Sequence, residues 1–204
     1  MRHGMMRIPH KNDGTPMDPR LADPFGGDYG DYVMVDTETT GLHPTRGDTI
    51  IEIGAVKVRG NRIIDAYSQL VNPLTPLDEV ITRLTGITDG MLEGQPTIEQ
   101  VVAEFDEWMG DCSLLAAHNA VFDMAFLDKA VRQTGIGRTF HHQYLDTLQM
   151  SRLLHPERMS HKVSALIVDY GIADIEQHRA ESDARQEHEL YQAMKEEARQ
   201  RKLI

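Results

Sequence analysis

The chain has 204 residues, 40% hydrophobic and 26% charged, with a formal net charge of -11 and one cysteine. That length suits one well-buried domain rather than two, the composition is that of a soluble globular protein, and no apolar run approaches the ~18 to 20 residues of a membrane span. Cys112 alone cannot form an internal disulfide, and the N-terminus carries Arg, His, Lys, Asp and Pro where a signal peptide has an apolar core; a cytoplasmic location is expected.

Residues 1–30 are rich in Gly, Pro, Asp and Met and hold no period of 2 or 3.6, so they are expected to form a flexible N-terminal arm before a domain spanning 31–204. From Tyr32 the run Tyr-Val-Met-Val predicts a strand ending at Asp36. Two β-rich runs, 49–59 and 62–71, flank Gly60-Asn61, a strong hairpin signal, and Asn72 to Pro76 breaks the pattern. Ile98, Val101, Val102, Phe105 and Met109 fall at helical spacing behind Thr97 and Gln100, which can form a capping box. Residues 113–117 read as a short buried strand, followed by a helix capped by Asn119 and running to about Gln133. Further helices are predicted over 147–154, capped by Asp146, over 163–170, and from Glu181 to about Gln200. Strands first, then strands alternating with helices, indicate an α/β fold with a mixed sheet.

Three separated clusters stand out: Asp36-Thr-Glu38-Thr-Thr-Gly41, His118-Asn119-Ala-Val-Phe122-Asp123 and His178-Arg-Ala-Glu-Ser-Asp183. Period 2 puts Asp36 and Glu38 on one face of a strand, where both can reach one cation. Asp123 falls in the first turn of a helix among Phe122, Met124 and Phe126, a costly place for a lone carboxylate unless a cation lies beside it. Phosphodiester hydrolysis adds negative charge to an anionic centre and needs a better nucleophile than water. Two hard divalent cations about 3.5 to 4 Å apart meet both demands, and oxygen ligands suit them. Four carboxylates could hold two Mg²⁺, and a histidine nearby could take the water's proton. Cys and His do not cluster as a zinc site requires. Asp146 reads as a helix cap and His118 as a hydrogen-bonded structural residue.

The order Asp-x-Glu, Asp, His-x4-Asp resembles the DEDDh branch of the DnaQ-like 3′-5′ exonucleases, the family of the proofreading epsilon subunit of bacterial DNA polymerase III, from about Tyr32 to the last helix. The resemblance implies a ribonuclease H-like fold, a five-stranded mixed sheet flanked by helices. It implies metal-dependent release of nucleoside 5′-monophosphates from nucleic-acid 3′ ends, with two Mg²⁺, replaceable by Mn²⁺, on Asp36, Glu38, Asp123 and Asp183, and His178 as general base. It further implies substrate contacts from Thr39, Thr40 and Gly41, an apolar wedge at Leu42, a loop at Thr85, Gly86 and Ile87, and strand-facing positions at Asn119 and Phe122. DNA of the proofreading or repair type is the expected substrate. The alternatives are a short-RNA exonuclease or a non-catalytic module associated with a polymerase. Residues 1–30 hold four basic and four acidic side chains, so the acidic balance belongs to 31–204. Duplex affinity through counterion release should be weak, which favours single-stranded or frayed ends, or delivery by a partner such as a DNA polymerase subunit.

Overall fold

A computed structural model of the chain describes residues 18–134, 142–175 and 178–204. Three antiparallel strands, β1 (Tyr32–Thr39), β2 (Ile50–Arg59) and β3 (Arg62–Leu70), open the fold. Gly60 and Asn61 close the β2–β3 hairpin with φ of 54° and 65°, the left-handed pair that a tight two-residue turn requires. β4 (Leu114–Ala117) adds parallel to β1, and β5 (Gln143–Asp146) parallel to β4, giving the order β3-β2-β1-β4-β5. This mixed five-stranded sheet is flanked by helices on both faces, the ribonuclease H-like arrangement.

Alternation along the central strands sorts side chains between two cores. Val33, Val35, Ile53, Leu115 and Ala117 pack with α3 (Ile98–Met109) and α4 (Val121–Thr134). Tyr32, Met34, Val56, Leu114 and Ala116 face α5 (Thr147–Leu154), α6 (Val163–Asp169) and α7 (Ala180–Gln200). Burying each such Val, Leu, Ile or Phe is worth about 1.5–3 kcal/mol. Two short helices, α1 (Glu79–Thr85) and α2 (Asp89–Leu92), cover a smaller cluster of Ile51, Ile87 and Leu92. The expected capping of α3 is present, with the Thr97 N–H donating to the Gln100 side chain at 3.1 Å.

Two expectations need correction. The first strand does not end at Asp36: it pairs with β2 as far as Thr39↔Ile50, with an irregularity at Glu38/Thr39. Cross-strand bonding has overridden the turn character of Asp-Thr-Glu-Thr-Thr-Gly. The arm expected over 1–30 is also too long. Residues 1–17 lie outside the described residues, but residues 20–22 pair with the sheet edge, where the Ala22 N–H donates to the Tyr144 carbonyl (2.8 Å) and the Tyr144 N–H to that of Arg20 (2.9 Å). Arg20 binds Asp128 of α4, and the fully buried Lys195 of α7 pairs with Asp28 (2.6 Å). An edge strand has open N–H and C=O groups, and this segment takes up those of Tyr144 on β5.

Candidate active site

β1, β4 and β5 run parallel, and their carboxyl ends open at one edge of the sheet, where α/β folds usually place ligands. Asp36 and Glu38 continue the face begun by Tyr32 and Met34, towards α7. Gly54, opposite Asp36 in the ladder, lets the start of α7 lie directly on β2: a Cβ there would stand 1.9 Å from the Glu181 nitrogen and 2.0 Å from the Ala180 carbonyl carbon. Asp183, in the first turn of α7, is thereby delivered beside β1. Oxygens of Asp36, Glu38 and Asp183 lie within 4.8 Å of one another.

Asp123 approaches from the opposite face. Thr37, on the odd-numbered side of β1, donates to Asp123 Oδ1 from its hydroxyl (2.7 Å) and its backbone N–H (3.1 Å). Asp123 is thus outside the three-carboxylate group but within reach of its field. Burial pushes its carboxyl up to about 7, against the opposing pull of the Thr37 bonds. Asp36 is raised well above the ordinary carboxylate range, first by desolvation in the cleft, then by the charges of Glu187, Asp123, Glu38 and Asp183. A group of oxygen donors that repel one another in a desolvated cleft suits a hard divalent cation, which would remove the repulsion that holds these protons on.

His178 is exposed, with φ 54°, and lines a cavity of about 790 Å³ together with Asp36, His118, Asn119 and Glu187. His118 is structural: its ring nitrogens contact Thr147 Oγ1 (2.9 Å) and the His161 carbonyl (2.8 Å), and burial holds it down at about 4. Asp146 caps α5 as expected, and the same oxygen also takes the Asn119 N–H at 3.0 Å, fastening the turn that leads into α4.

The remaining expected contacts divide. Leu42 is 71% exposed and available, and Asn119, with φ 65°, faces the cavity. Phe122 is half-buried against Phe126. The Thr39 hydroxyl is spent on the Gly41 carbonyl (2.7 Å), and the Thr40 N–H on that of Thr49 (2.9 Å). Gly41 gives room to the Asp48 carboxylate, which a Cβ would meet at 2.4 Å. In the 85–87 loop, Thr85 bonds back to Ile81 and Ile87 is fully buried, which leaves only Gly86, at φ 71°, with an open face.

Two carboxylates outside the expected set support the site. Glu52, buried in β2, accepts from the Arg179 guanidinium (2.7 and 3.2 Å) and from the Ala180 N–H (3.2 Å), clasping the start of α7 between His178 and Asp183. Glu187 lies one helical turn after Asp183 and accepts the His118 N–H at 3.1 Å. The signals were present in the sequence: a lone charge within Ile51-Glu-Ile-Gly for the first, and i, i+4 spacing on α7 for the second.

The family profile for RNase T, described as "Exonuclease", matches residues 33–191. The chain belongs to this exonuclease family. Among curated relatives, DNA polymerase III PolC-type of Bacillus cereus is 41% identical over 169 residues, 83% of this chain and 12% of that protein. The Bacillus subtilis protein of the same name is 44% identical over 149 residues, 73% and 10%. The exonuclease domain therefore corresponds to a small part of these long polymerases. Among solved structures, Exonuclease X in complex with 5′-overhanging duplex DNA matches at TM-score 0.65 and 25% identity, over 81% of this chain and 92% of that one. The nuclease domain of 3′hExo, a DEDDh family member bound to rAMP, matches in fold at TM-score 0.68 and 20% identity, over 83% and 93%. Both structures share the fold described above.

Proposed function

We propose that this exonuclease domain removes nucleoside 5′-monophosphates from the 3′ ends of DNA, on single-stranded or frayed termini, as a proofreading or repair activity. The observation that carries the reading is the meeting of Asp36, Glu38 and Asp183 from two elements distant in sequence, with Asp123 fixed one residue away through Thr37 and His178 on the same cavity. The resemblance of 73–83% of the chain to PolC-type polymerases favours DNA and a polymerase partner.

Asp36, Glu38, Asp123 and Asp183 would hold two divalent cations of the magnesium type, replaceable by Mn²⁺, which supply charge neutralisation at the phosphoryl oxygens and acidify water. The chain's own residues do the rest. His178, at the solvent side of the cavity, accepts the proton of the attacking water, a role worth typically 10²–10⁴-fold. Thr37 fixes one Asp123 oxygen and leaves the other to the site. Leu42, exposed at the end of β1, separates the terminal base from its neighbour, and Asn119 and Phe122 border the strand's path. A product-resolved assay comparing single-stranded DNA, mismatched duplex DNA, short RNA and dinucleotides tests the reading. Mononucleotides released from DNA 3′ ends in Mg²⁺ are expected; release from short RNA alone would refute the DNA assignment.

A further inference from the structure

The cavity beside the carboxylates is also lined by basic and hydroxyl side chains. Arg152 from α5, and Ser160, Lys162 and Ser164 around the start of α6, line it together with Asp36 and Glu187. Among the described residues most arginines form ion pairs, such as Arg158 with Asp169, Arg179 with Glu52, Arg185 with Glu181 and Arg201 with Glu197. Among the described residues, neither Arg152 nor Lys162 forms an ion pair, and both are exposed. The two histidines that line the same cavity add no charge of their own. His118 is held neutral by burial, and His161 is lowered by burial and then by Arg152 and Arg158. Met159, fully exposed on the rim, offers apolar surface at the same place.

Unpaired cations beside an acidic cluster would be expected to pair with it if they could reach. Lining the same cavity without a carboxylate partner, they suit an anion bound there. We propose that Arg152 and Lys162 form a subsite for the internucleotide phosphate on the 5′ side of the scissile bond, so that one strand crosses the cavity with its last bond at the carboxylates. This rests on the exonuclease reading above and adds how a chain of net charge -11 grips a polyanion: by two local charges lining the cavity, without a broad basic surface.

The test compares two substrates of the purified chain in Mn²⁺. One is the p-nitrophenyl ester of thymidine 5′-monophosphate, which has the reacting diester and no upstream phosphate; the other is a single-stranded thymidine tetranucleotide. For Arg152→Ala and Lys162→Ala, KM for the tetranucleotide should rise about tenfold each, with kcat little changed. The dependence of log KM on log salt should become shallower by about 0.7 for each phosphate that is no longer neutralised. Turnover of the ester should stay at the wild-type level, a split that a general loss of structure would not produce. Equal losses on both substrates, or an unchanged tetranucleotide KM and salt slope, would overturn the subsite. A folded wild-type protein inactive on both would instead sink the exonuclease reading, and the subsite with it.

Discussion

Substituting Gly54 by alanine tests whether the contact between β2 and α7 assembles the site. The added Cβ would stand 1.9 Å from the Glu181 nitrogen and 2.0 Å from the Ala180 carbonyl carbon, both backbone atoms unable to swing aside. Ordinary contact needs about 3.5 Å, so the first turn of α7 must retreat by roughly 1.5 Å or β2 must buckle. Overpacking of this kind typically costs about 1–3 kcal/mol, which for a domain of this size lowers Tm by about 2–12 °C and leaves a folded protein. The chemical effect should be larger. Asp183 rides on the displaced turn, and a misplacement of about 1 Å can cost on the order of 10²-fold in rate. We therefore expect Gly54→Ala to melt cooperatively at reduced Tm and to lose at least about a hundredfold in kcat on single-stranded DNA. Gly27→Ala, where an added Cβ meets nothing within 4 Å, is the control and should behave as wild type. Wild-type turnover by Gly54→Ala would refute the argument that the helix must lie on the strand to deliver Asp183.

Asp123→Asn should abolish cleavage in a folded protein, and it also isolates a pH effect. Because the Asp123 carboxyl is raised to about 7, the folded state holds a proton that the unfolded state has released. In metal-free buffer its contribution is full below about pH 4 and declines until pH passes about 7, so the stability difference between wild type and Asp123→Asn should fall by a few kcal/mol across that window. Melts at several pH values would read this, and a difference independent of pH would contradict the raised carboxyl. Glu52→Gln should keep some acceptor capacity yet weaken the clasp on Arg179. About 1–2 kcal/mol is expected, since Arg179 is 47% exposed and can regain water, with kcat falling further than stability alone explains. Unchanged kcat would show that the clasp does not position His178 or Asp183. Leu42→Ala, at an exposed position, should leave Tm within about 1 °C and raise KM for DNA ends; an unaltered KM would remove the wedge role.

Local chemistry made much of this fold legible in advance. Gly60-Asn61 marks a turn that needs two positive φ angles, Thr97 with Gln100 caps α3, and Asp146 caps α5; all depend on residues close in sequence. The pairing of Asp36 and Glu38 on one face likewise follows from strand periodicity alone. What long-range contacts decide was hidden. β1 runs on through Thr39 because β2 is there to bond it, and β5 is only four residues long, too short for a periodic signal. Residues 18–30 look like an arm until Tyr144 and Lys195 are seen to bind them. Thr37 reads as an ordinary strand threonine, and although a charge in an apolar strand and i, i+4 spacing single out Glu52 and Glu187, only packing reveals which group each one holds. For Ile87, matching a motif suggested a surface contact where the structure has a core residue.

The cation site of Asp36, Glu38 and Asp183, with Asp123 nearby, can be read without turnover. Its most direct measurement is the melting temperature of wild type and Asp36→Asn, titrated with Mg²⁺ and Mn²⁺ after chelation. At a hundred times its Kd a ligand specific for the native state adds about 2.7 kcal/mol, or about 5–10 °C here. A rise of that size in wild type, abolished in Asp36→Asn, is the expected result. A wild-type Tm that does not move at millimolar metal would contradict the account.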